Sequence, residues 1–280
     1  MLDIPPIVYG TFFVELVGCT LYFVFNLFLT MSNQAFLKTP FFRLIHATGF
    51  AGIGVVSTYW IIHLFNYLPV RRESVLLIYV GQISNGSTTF CYTTGKFLIL
   101  LNRLTVLHNI RVAKAGWTNT RTNILIFCQY TVPLVPHFYF AIAPVNWIGE
   151  FYYGWDNTTG SIYRSITGAY YALYAVTGMA MNIAAYRMLQ KLSFTSTTLY
   201  MQQRSLSFYT MASATCHMIF SIHQLVWSYS FLSGNSELLA SVRYVRPFVQ
   251  DFTTFIDPIV LIIVSKQVRN AVRKVVAGGN

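Results

Sequence analysis

Seven long apolar segments occupy most of the chain and limit what it can fold into. In lipid, a helix can satisfy all of its backbone hydrogen-bonding groups within its own segment. A helix needs about 20 apolar residues to cross a bilayer, and each segment has about that length. We therefore predict seven transmembrane helices, named spans 1 to 7, at residues 5–30, 41–68, 74–101, 122–143, 166–186, 206–232 and 247–264.

The composition fits a membrane protein better than a soluble one. Only 10% of the 280 residues are charged and 55% are hydrophobic, whereas soluble domains carry about 25% charged residues. The sequence predicts an all-α membrane protein, a seven-transmembrane helix bundle over residues 1–264, and a short basic tail at 265–280. Pro133 and Pro136 interrupt span 4, and the tail is expected to begin as a basic helix on the inner leaflet.

The charges of the loops predict how the bundle is oriented. The loops between spans 1 and 2, 3 and 4, and 5 and 6, together with the tail, contain no Asp or Glu. Together with Arg43, in the first turn of span 2, they hold 13 of the 19 basic residues: Lys38, Arg43, Arg103, Arg111, Lys114, Arg121, Arg187, Lys191, Arg204, Lys266, Arg269, Arg273 and Lys274. Short basic loops stay in the cytoplasm, so we expect the N-terminus outside and the tail inside. The outer segments hold Arg71, Arg72, Arg164, Arg243 and Arg246, with Asp3, Glu73, Glu150, Asp156 and Glu237.

The net charge of +11 does not indicate nucleic-acid binding. The basic residues lie in short loops after apolar spans, where they set topology and contact anionic lipids. The expected partner of this surface is the lipid bilayer, and part of it could meet a protein.

The residues that carry most known chemistries are absent or scattered. The sequence has no His-Glu-x-x-His zinc motif and no Gly-rich phosphate loop after a strand. All four cysteines fall inside spans, which predicts no extracellular disulfide. We predict no catalytic residue, no metal site and no cofactor.

The longest outer loop, between spans 4 and 5, is rich in aromatic residues and contains an N-glycosylation sequon. Asn157-Thr158-Thr159 matches the acceptor pattern. It lies on the side that the charges predict to be extracellular, so Asn157 is expected to carry a glycan. A second sequon, at Asn85, lies inside span 3 and should be unmodified.

Span 3 carries a polar stripe. Gln82, Asn85, Thr89, Tyr92 and Lys96 follow at steps of three and four residues, which places them on one face of a helix. Polar groups in lipid are costly, so this face should point into the bundle. It forms either a structural polar network between helices or one wall of a ligand cavity.

Polar and aromatic residues of spans 5, 6 and 7 could complete such a cavity in the outer half of the bundle. Packing between helices is the alternative role for each of them. The predicted ligand-binding residues are Gln82, Asn85, Thr89, Tyr170, Tyr174, Ser221, Gln224 and Asp251.

Lys96 lies at membrane depth and needs either a partner or a route by which its amine reaches the inner surface. Asp257 in span 7 and Glu15 in span 1 are the candidate partners. A pair between Lys96 and Asp257, next to Pro258, would act as a switch that restrains the resting state.

Two inner-surface sequences resemble those of rhodopsin-like receptors. Span 3 ends in Leu-Leu-Asn-Arg at 100–103, where those receptors have an acidic residue followed by Arg. Span 7 contains Asp-Pro-Ile-Val-Leu at 257–261, where they have Asn-Pro-x-x-Tyr. With the Leu-Asn-Arg ending of span 3 and the close of span 7 at 258–269, the chain resembles the nematode serpentine chemoreceptors, in particular the gamma-class (Srg) superfamily.

This resemblance implies a G-protein-coupled chemosensory receptor for a small molecule, at the plasma membrane of chemosensory neurons and often in their cilia. By matching motif, Asn102 and Arg103 would face a heterotrimeric G protein and Pro258 would kink span 7. The chain departs from rhodopsin-like receptors at Asn102, at the missing Tyr and at the missing outer disulfide, so their switch mechanism need not apply.

Three other functions stay open at this point. A small transporter would often show two repeated halves, and no internal repeat is visible. An intramembrane hydrolase of the seven-span type needs a histidine cluster, whereas the six histidines are scattered. An insect-type odorant-gated channel would have the opposite orientation to the one that the loop charges predict.

Overall fold

Long helices occupy the positions of the predicted spans in the computed structural model, which describes residues 6–31, 35–65, 75–109, 115–141, 145–148, 152–155, 157–195 and 197–276. The helices are α1 Pro6–Met31, α2 Pro40–Phe65, α3 Val75–His108, α4 Asn119–Thr131, α5 Leu134–Ala141, α6 Asn157–Thr195, α7 Thr197–Leu232, α8 Ser236–Val264 and α9 Lys266–Val276. A 3₁₀ turn covers Ala35–Lys38, and two strands, β1 Val145–Ile148 and β2 Tyr152–Trp155, lie between α5 and α6.

The bundle has two ends because successive spans alternate in direction. We call the end with the β1–β2 strands and the turn at 233–235 the hairpin end, and the end with α9 the tail end. Of the described residues, three helical segments are long and apolar enough by composition alone to cross a membrane: Phe12–Thr30, Pro40–Ile61 and Ser236–Val264. The helices between them carry more polar residues, many of which are buried inside the bundle.

The surface is apolar where a soluble protein would be polar. Phe127, Val135 and Val176 are 68%, 68% and 69% exposed, whereas Glu15 and Lys96 are 2% and 3% exposed. Outward apolar side chains and inward ionisable ones are what a lipid environment requires. The fold is therefore an all-α bundle built for a bilayer.

Span 4 is broken where the sequence places its prolines. α4 ends at Thr131 and α5 begins at Leu134, with a turn at Val132 and Pro133. Pro133 has no N–H to donate to the preceding turn. Its carbonyl oxygen lies 2.6 Å from Nδ1 of His137, so a side chain of α5 contacts the backbone at the break.

Two helices, α6 and α8, begin well before the predicted spans. α6 begins at Asn157 rather than 166, and α8 begins at Ser236 rather than 247. The side chain of Asn235 caps α8 by accepting a hydrogen bond of 3.0 Å from the N–H of Leu238. The predicted spans counted only apolar residues, whereas a helix continues until its backbone groups are capped.

The two strands were not predicted. β1 and β2 pair antiparallel in the register Val145↔Trp155 to Ile148↔Tyr152. Aromatic residues favour strand conformation, so the aromatic-rich composition of this loop was a signal for strands that the prediction did not use. Apart from this hairpin, the described residues form helices and turns.

An apolar cluster closes the tail end. Its buried members are Leu29, Leu37, Phe41, Phe42, Leu44, Ile45, Leu98, Ile99, Tyr209, Leu261 and Val268. Val268 comes from α9, so this helix docks by its apolar face as well as carrying basic residues. The Ser265 side chain caps α9 at the N–H of Val268, 3.3 Å away.

Candidate functional site

A cavity of about 40 Å³ lies toward the hairpin end, between α3, α6, α7 and α8. Its walls combine polar, aromatic and basic side chains. The lining residues are Asn85, Gly86, Thr89, Phe90, Tyr163, Arg164, Thr167, Tyr171, Gln224 and Arg246.

The structure brings part of the predicted ligand set to this cavity. Asn85, Thr89 and Gln224 line it. The side chain of Gln82 lies outside the described residues. The other four predicted residues lie elsewhere in the bundle, and they are Tyr170, Tyr174, Ser221 and Asp251.

Tyr170, Tyr174 and Ser221 make contacts within the helix bundle. The ring of Tyr170 stacks on Phe90 at 4.3 Å, and its hydroxyl lies 3.0 Å from that of Thr94. Tyr174 packs edge-on against His217 at 4.9 Å. Ser221 donates a hydrogen bond of 3.1 Å to the carbonyl oxygen of His217 within α7. Their role in ligand binding stays a prediction.

Asp251 faces α1 rather than the cavity. Its carboxyl group lies next to that of Glu15. Glu15 is 2% exposed, and its side chain is within hydrogen-bonding reach of Asp251. Glu15 is thereby placed with Asp251 and not with Lys96.

Two arginines in the cavity wall were missed by the sequence analysis. Arg164 and Arg246 were counted as charges of outer loops, but they lie on α6 and α8. Their position follows from the early starts of these helices. The sequence did contain a signal for this position. Each arginine lies within one turn of the start of a predicted span and directly follows an aromatic or apolar residue.

Arg246 links α8 to α3 and α7. Its Nη2 donates a hydrogen bond of 2.7 Å to Oδ1 of Asn85. Its guanidinium carbon lies 4.3 Å from the ring centroid of Trp227 and 4.9 Å from that of Tyr59. Its Nε makes no hydrogen bond in the part of the chain that the structure describes.

Arg164 shares the same indole ring. Its guanidinium carbon lies 4.3 Å from the centroid of Trp227 and 5.4 Å from that of Tyr163. Cation–π contacts of this kind stabilise a cation by about 0.5–2 kcal/mol. Across the described ranges, Arg164 has these ring contacts but no hydrogen-bonded or ionic partner.

Deeper in the bundle, Lys96 and Asp257 form a buried ion pair through Nζ and Oδ2. Ser213 joins both partners, because its hydroxyl accepts from Lys96 Nζ at 2.6 Å and donates to Asp257 Oδ1 at 2.7 Å. The hydroxyl of Tyr92 lies 3.1 Å from Asp257 Oδ2. Of the three possibilities that the sequence left for Lys96, the structure contains the contact with Asp257, adjacent to Pro258 within α8.

Near the tail end, Arg103 is buried in this conformation, with only 6% exposure. Its Nη1 donates to Oε1 of Gln203 at 3.1 Å, and its guanidinium carbon lies 3.9 Å from the ring centroid of Phe41. Asn102 is buried beside it, and its Oδ1 has no hydrogen-bond partner among the described residues. Arg103 therefore connects α3 to α7 and α2.

Asn157 is the first residue of α6, directly after the hairpin. Its side chain lies outside what the structure describes. Among the described residues, no group of three His, Cys, Asp or Glu side chains could hold a metal ion. The four cysteines are free.

Residues 10–277 match the profile of one family, described as serpentine type 7TM GPCR chemoreceptor Srv. No curated protein matches the chain in sequence. The match supports the resemblance to nematode serpentine chemoreceptors but corrects the class, because the gamma-class (Srg) assignment was wrong. The Leu-Asn-Arg and Asp-Pro sequences that suggested it are too short to separate related classes. Since the match spans nearly the whole chain, the protein belongs to the Srv family of serpentine seven-transmembrane chemoreceptors.

Proposed function

We propose that this chemoreceptor binds a small molecule in the cavity at the hairpin end and signals to a heterotrimeric G protein at the tail end. The observation that carries the proposal is the family match over residues 10–277. Membership of a chemoreceptor family also favours a receptor over the transporter, hydrolase and channel alternatives. By the loop charges, the hairpin end faces outside and the tail end faces the cytoplasm, at the plasma membrane and in sensory cilia.

The size of the cavity supports a ligand-driven change of shape. Small-molecule pockets usually measure about 300–1,000 Å³, whereas this cavity measures about 40 Å³. Ligand entry therefore requires that α6, α7 and α8 move apart at the hairpin end. A ligand shifts the population toward that arrangement only by its higher affinity for it.

Arg103 is the residue that we assign to coupling. In the described conformation Gln203 and Phe41 hold its guanidinium inside the bundle. Separation of α7 from α3 at the tail end would release it toward the cytoplasm, where a G protein could contact it together with Asn102. The contact between Arg103 and Gln203 then acts as a latch on the resting state.

Two substitutions separate the latch from the coupling contact. Gln203→Ala removes the latch and keeps Arg103, so basal G-protein activation should rise, by about 10-fold if the charged hydrogen bond contributes about 1.5 kcal/mol. Arg103→Ala removes both, so activation by a panel of small molecules should be lost at equal surface level. The assay measures calcium release or the cyclic-nucleotide concentration in cells that express the receptor.

Arg103→Lys provides the matched control. If the charge serves only to anchor α3, this variant should behave like the wild type. We expect it to signal weakly, because an ammonium group cannot reproduce the planar contacts of a guanidinium. Unchanged signalling by Arg103→Ala at equal surface level would remove Arg103 from the mechanism.

A further inference from the structure

We propose that the cavity at the hairpin end recognises the carboxylate of a small organic acid, bound between Arg164 and Arg246. This inference rests on the proposed function, because it assigns a chemical class to the ligand of the same site. It goes further in naming the two residues that select the ligand by charge.

The charge of the cavity wall is the first argument. Two guanidinium groups line one cavity, and none of its lining residues is acidic. Among the described residues, the hydrogen-bond partner of Arg246 is the neutral Asn85, and Arg164 contacts aromatic rings and lies near the like charges of Arg246 and Arg243. Cations in a low-dielectric site are costly unless they are paired. A carboxylate that enters this site would offset one of the two positive charges and could accept hydrogen bonds from both guanidinium groups.

Unpaired donors are the second argument. Gln224 lines the cavity and is 4% exposed, and its Nε2 has no hydrogen-bond partner among the described residues. Nε of Arg246, which also lines the cavity, has no hydrogen-bond partner there either. Nitrogens that carry hydrogen can only donate, and an ionised carboxylate can only accept. The unmet nitrogens of the site therefore match an oxyanion rather than a cation.

The geometry of the arginines is the third argument. Both guanidinium carbons lie 4.3 Å from the centroid of the Trp227 ring. This shared contact holds one fork from α6 and one from α8 against the same ring, both arginines line the cavity, and Arg forks bind carboxylates in a bidentate manner. Phe90, Tyr163 and Tyr171 form the aromatic part of the wall, which suits an acid with an apolar or aromatic body.

Phenylacetate and phenylacetamide provide a direct test, because they differ in charge and hardly in shape. The full chain is purified in lipid nanodiscs, and the thermal midpoint is measured against the concentration of each probe at fixed ionic strength. We expect the wild type to bind the acid at least about 10-fold more tightly, since hydrogen bonds to a charged group are the stronger ones. Arg164→Gln should bring the ratio close to one, and Arg246→Gln should do the same.

Arg187→Gln is the matched control, because Arg187 is exposed on the same helix as Arg164, near the tail end. It should keep the wild-type preference. Comparing the two probes within each variant removes any change in stability from the result. Arg164→Gln is the cleaner variant, since Arg164 gives up ring contacts and no hydrogen bond of the described structure.

Two outcomes would overturn the assignment. One is equal affinity of the wild type for acid and amide, or no binding of carboxylates from acetate to 3-phenylpropanoate. The other is a preference for the acid that survives in both arginine variants. Binding is measured without a G protein, so a receptor that binds the acid selectively but fails to signal refutes the proposed coupling and not this inference.

Discussion

At the scale of single residues, the buried ion pair of Lys96 and Asp257 is stable only if other contacts offset the cost of removing two charges from water. A buried ion pair is tolerated when further hydrogen bonds satisfy both partners. Ser213 contacts both groups, and the hydroxyl of Tyr92 lies 2.7 Å from the carbonyl oxygen of Thr253 and near Asp257. The network therefore ties α3, α7 and α8 together at one depth.

Removing both charges should cost less than the sum of the two single removals. Lys96→Met or Asp257→Asn alone leaves a buried charge without its partner, which costs about 3–5 kcal/mol. The double variant should be destabilised by less than the sum of the two single variants, so the coupling energy, the double loss minus the two single losses, should be negative. The measurement is a double-mutant cycle on surface expression, thermal midpoint and basal signalling. Strict additivity would show that the contact does not stabilise the resting state.

The sequence reduced the partners of Lys96 to two and could not choose between them. Asp257 and Glu15 are both acidic and both lie in spans, and the rotation of each helix about its axis decides which one faces Lys96. The structure turns Glu15 toward Asp251 instead. Ser213 was not predicted at all, because a serine in a transmembrane helix has no signature that separates a bridging role from simple packing.

At the scale of helices, α3 packs against α2 and α4 through a glycine. A Cβ added at Gly95 would clash with the hydroxyl oxygen of Thr48 and the side-chain nitrogen of Gln129. Small residues at such crossings let transmembrane backbones approach closely. Gln129 also donates a hydrogen bond of 3.1 Å to the carbonyl oxygen of Cys91, which requires that approach.

Gly95→Ala should therefore destabilise the bundle, although alanine is the better helix former. We expect a loss of about 1–3 kcal/mol, the usual cost of overpacking a core. Gly10→Ala is the control, because no atom lies within 4 Å of a Cβ at that position of α1. Thermal midpoints of the two purified variants check the difference, and equal midpoints would rule out close packing at Gly95.

The boundaries of the helices explain which part of the site could be predicted. The polar stripe of α3 predicted Asn85 and Thr89 correctly as residues with inward faces, because helical spacing alone fixes which residues share a face. Arg164 and Arg246 were placed in loops because hydropathy ends a span at the first charges. In the structure, contacts with Trp227 and Asn85 keep both arginines on helices and inside the bundle.

At the scale of the whole molecule, α3 and α8 connect the two ends. On α3, Asn85 lies at the cavity, Lys96 in the ion pair and Arg103 at the tail end; Asn85 and Arg103 are about 27 Å apart at 1.5 Å per residue. On α8, Arg246 contacts Asn85, and Asp257 contacts Lys96. A ligand that draws Arg246 away from Asn85 would loosen one of these links and leave the other to restrain the resting state.

The orientation of the molecule is the remaining prediction, and it follows from charge. The acid-free loops predict a cytoplasmic tail end, which places the start of α6 outside, where Asn157 begins a sequon. Asn157 should then carry a glycan that a glycosidase removes, with a matching shift in mobility on a gel. Asn157→Gln should abolish that shift, and a tag on the tail should be reached by antibody only after permeabilisation.

Ser87→Ala is the matched control, because it removes the sequon at Asn85 without changing that residue. Asn85 is 7% exposed inside α3, so a glycan cannot be attached there in the folded bundle, and the shift should persist. A tail tag that antibody reaches on intact cells, together with protection of the Asn157 segment from external protease, would reverse the orientation. The cavity at the hairpin end would then face the cytoplasm, and the organic acid proposed as its ligand would have to come from inside the cell.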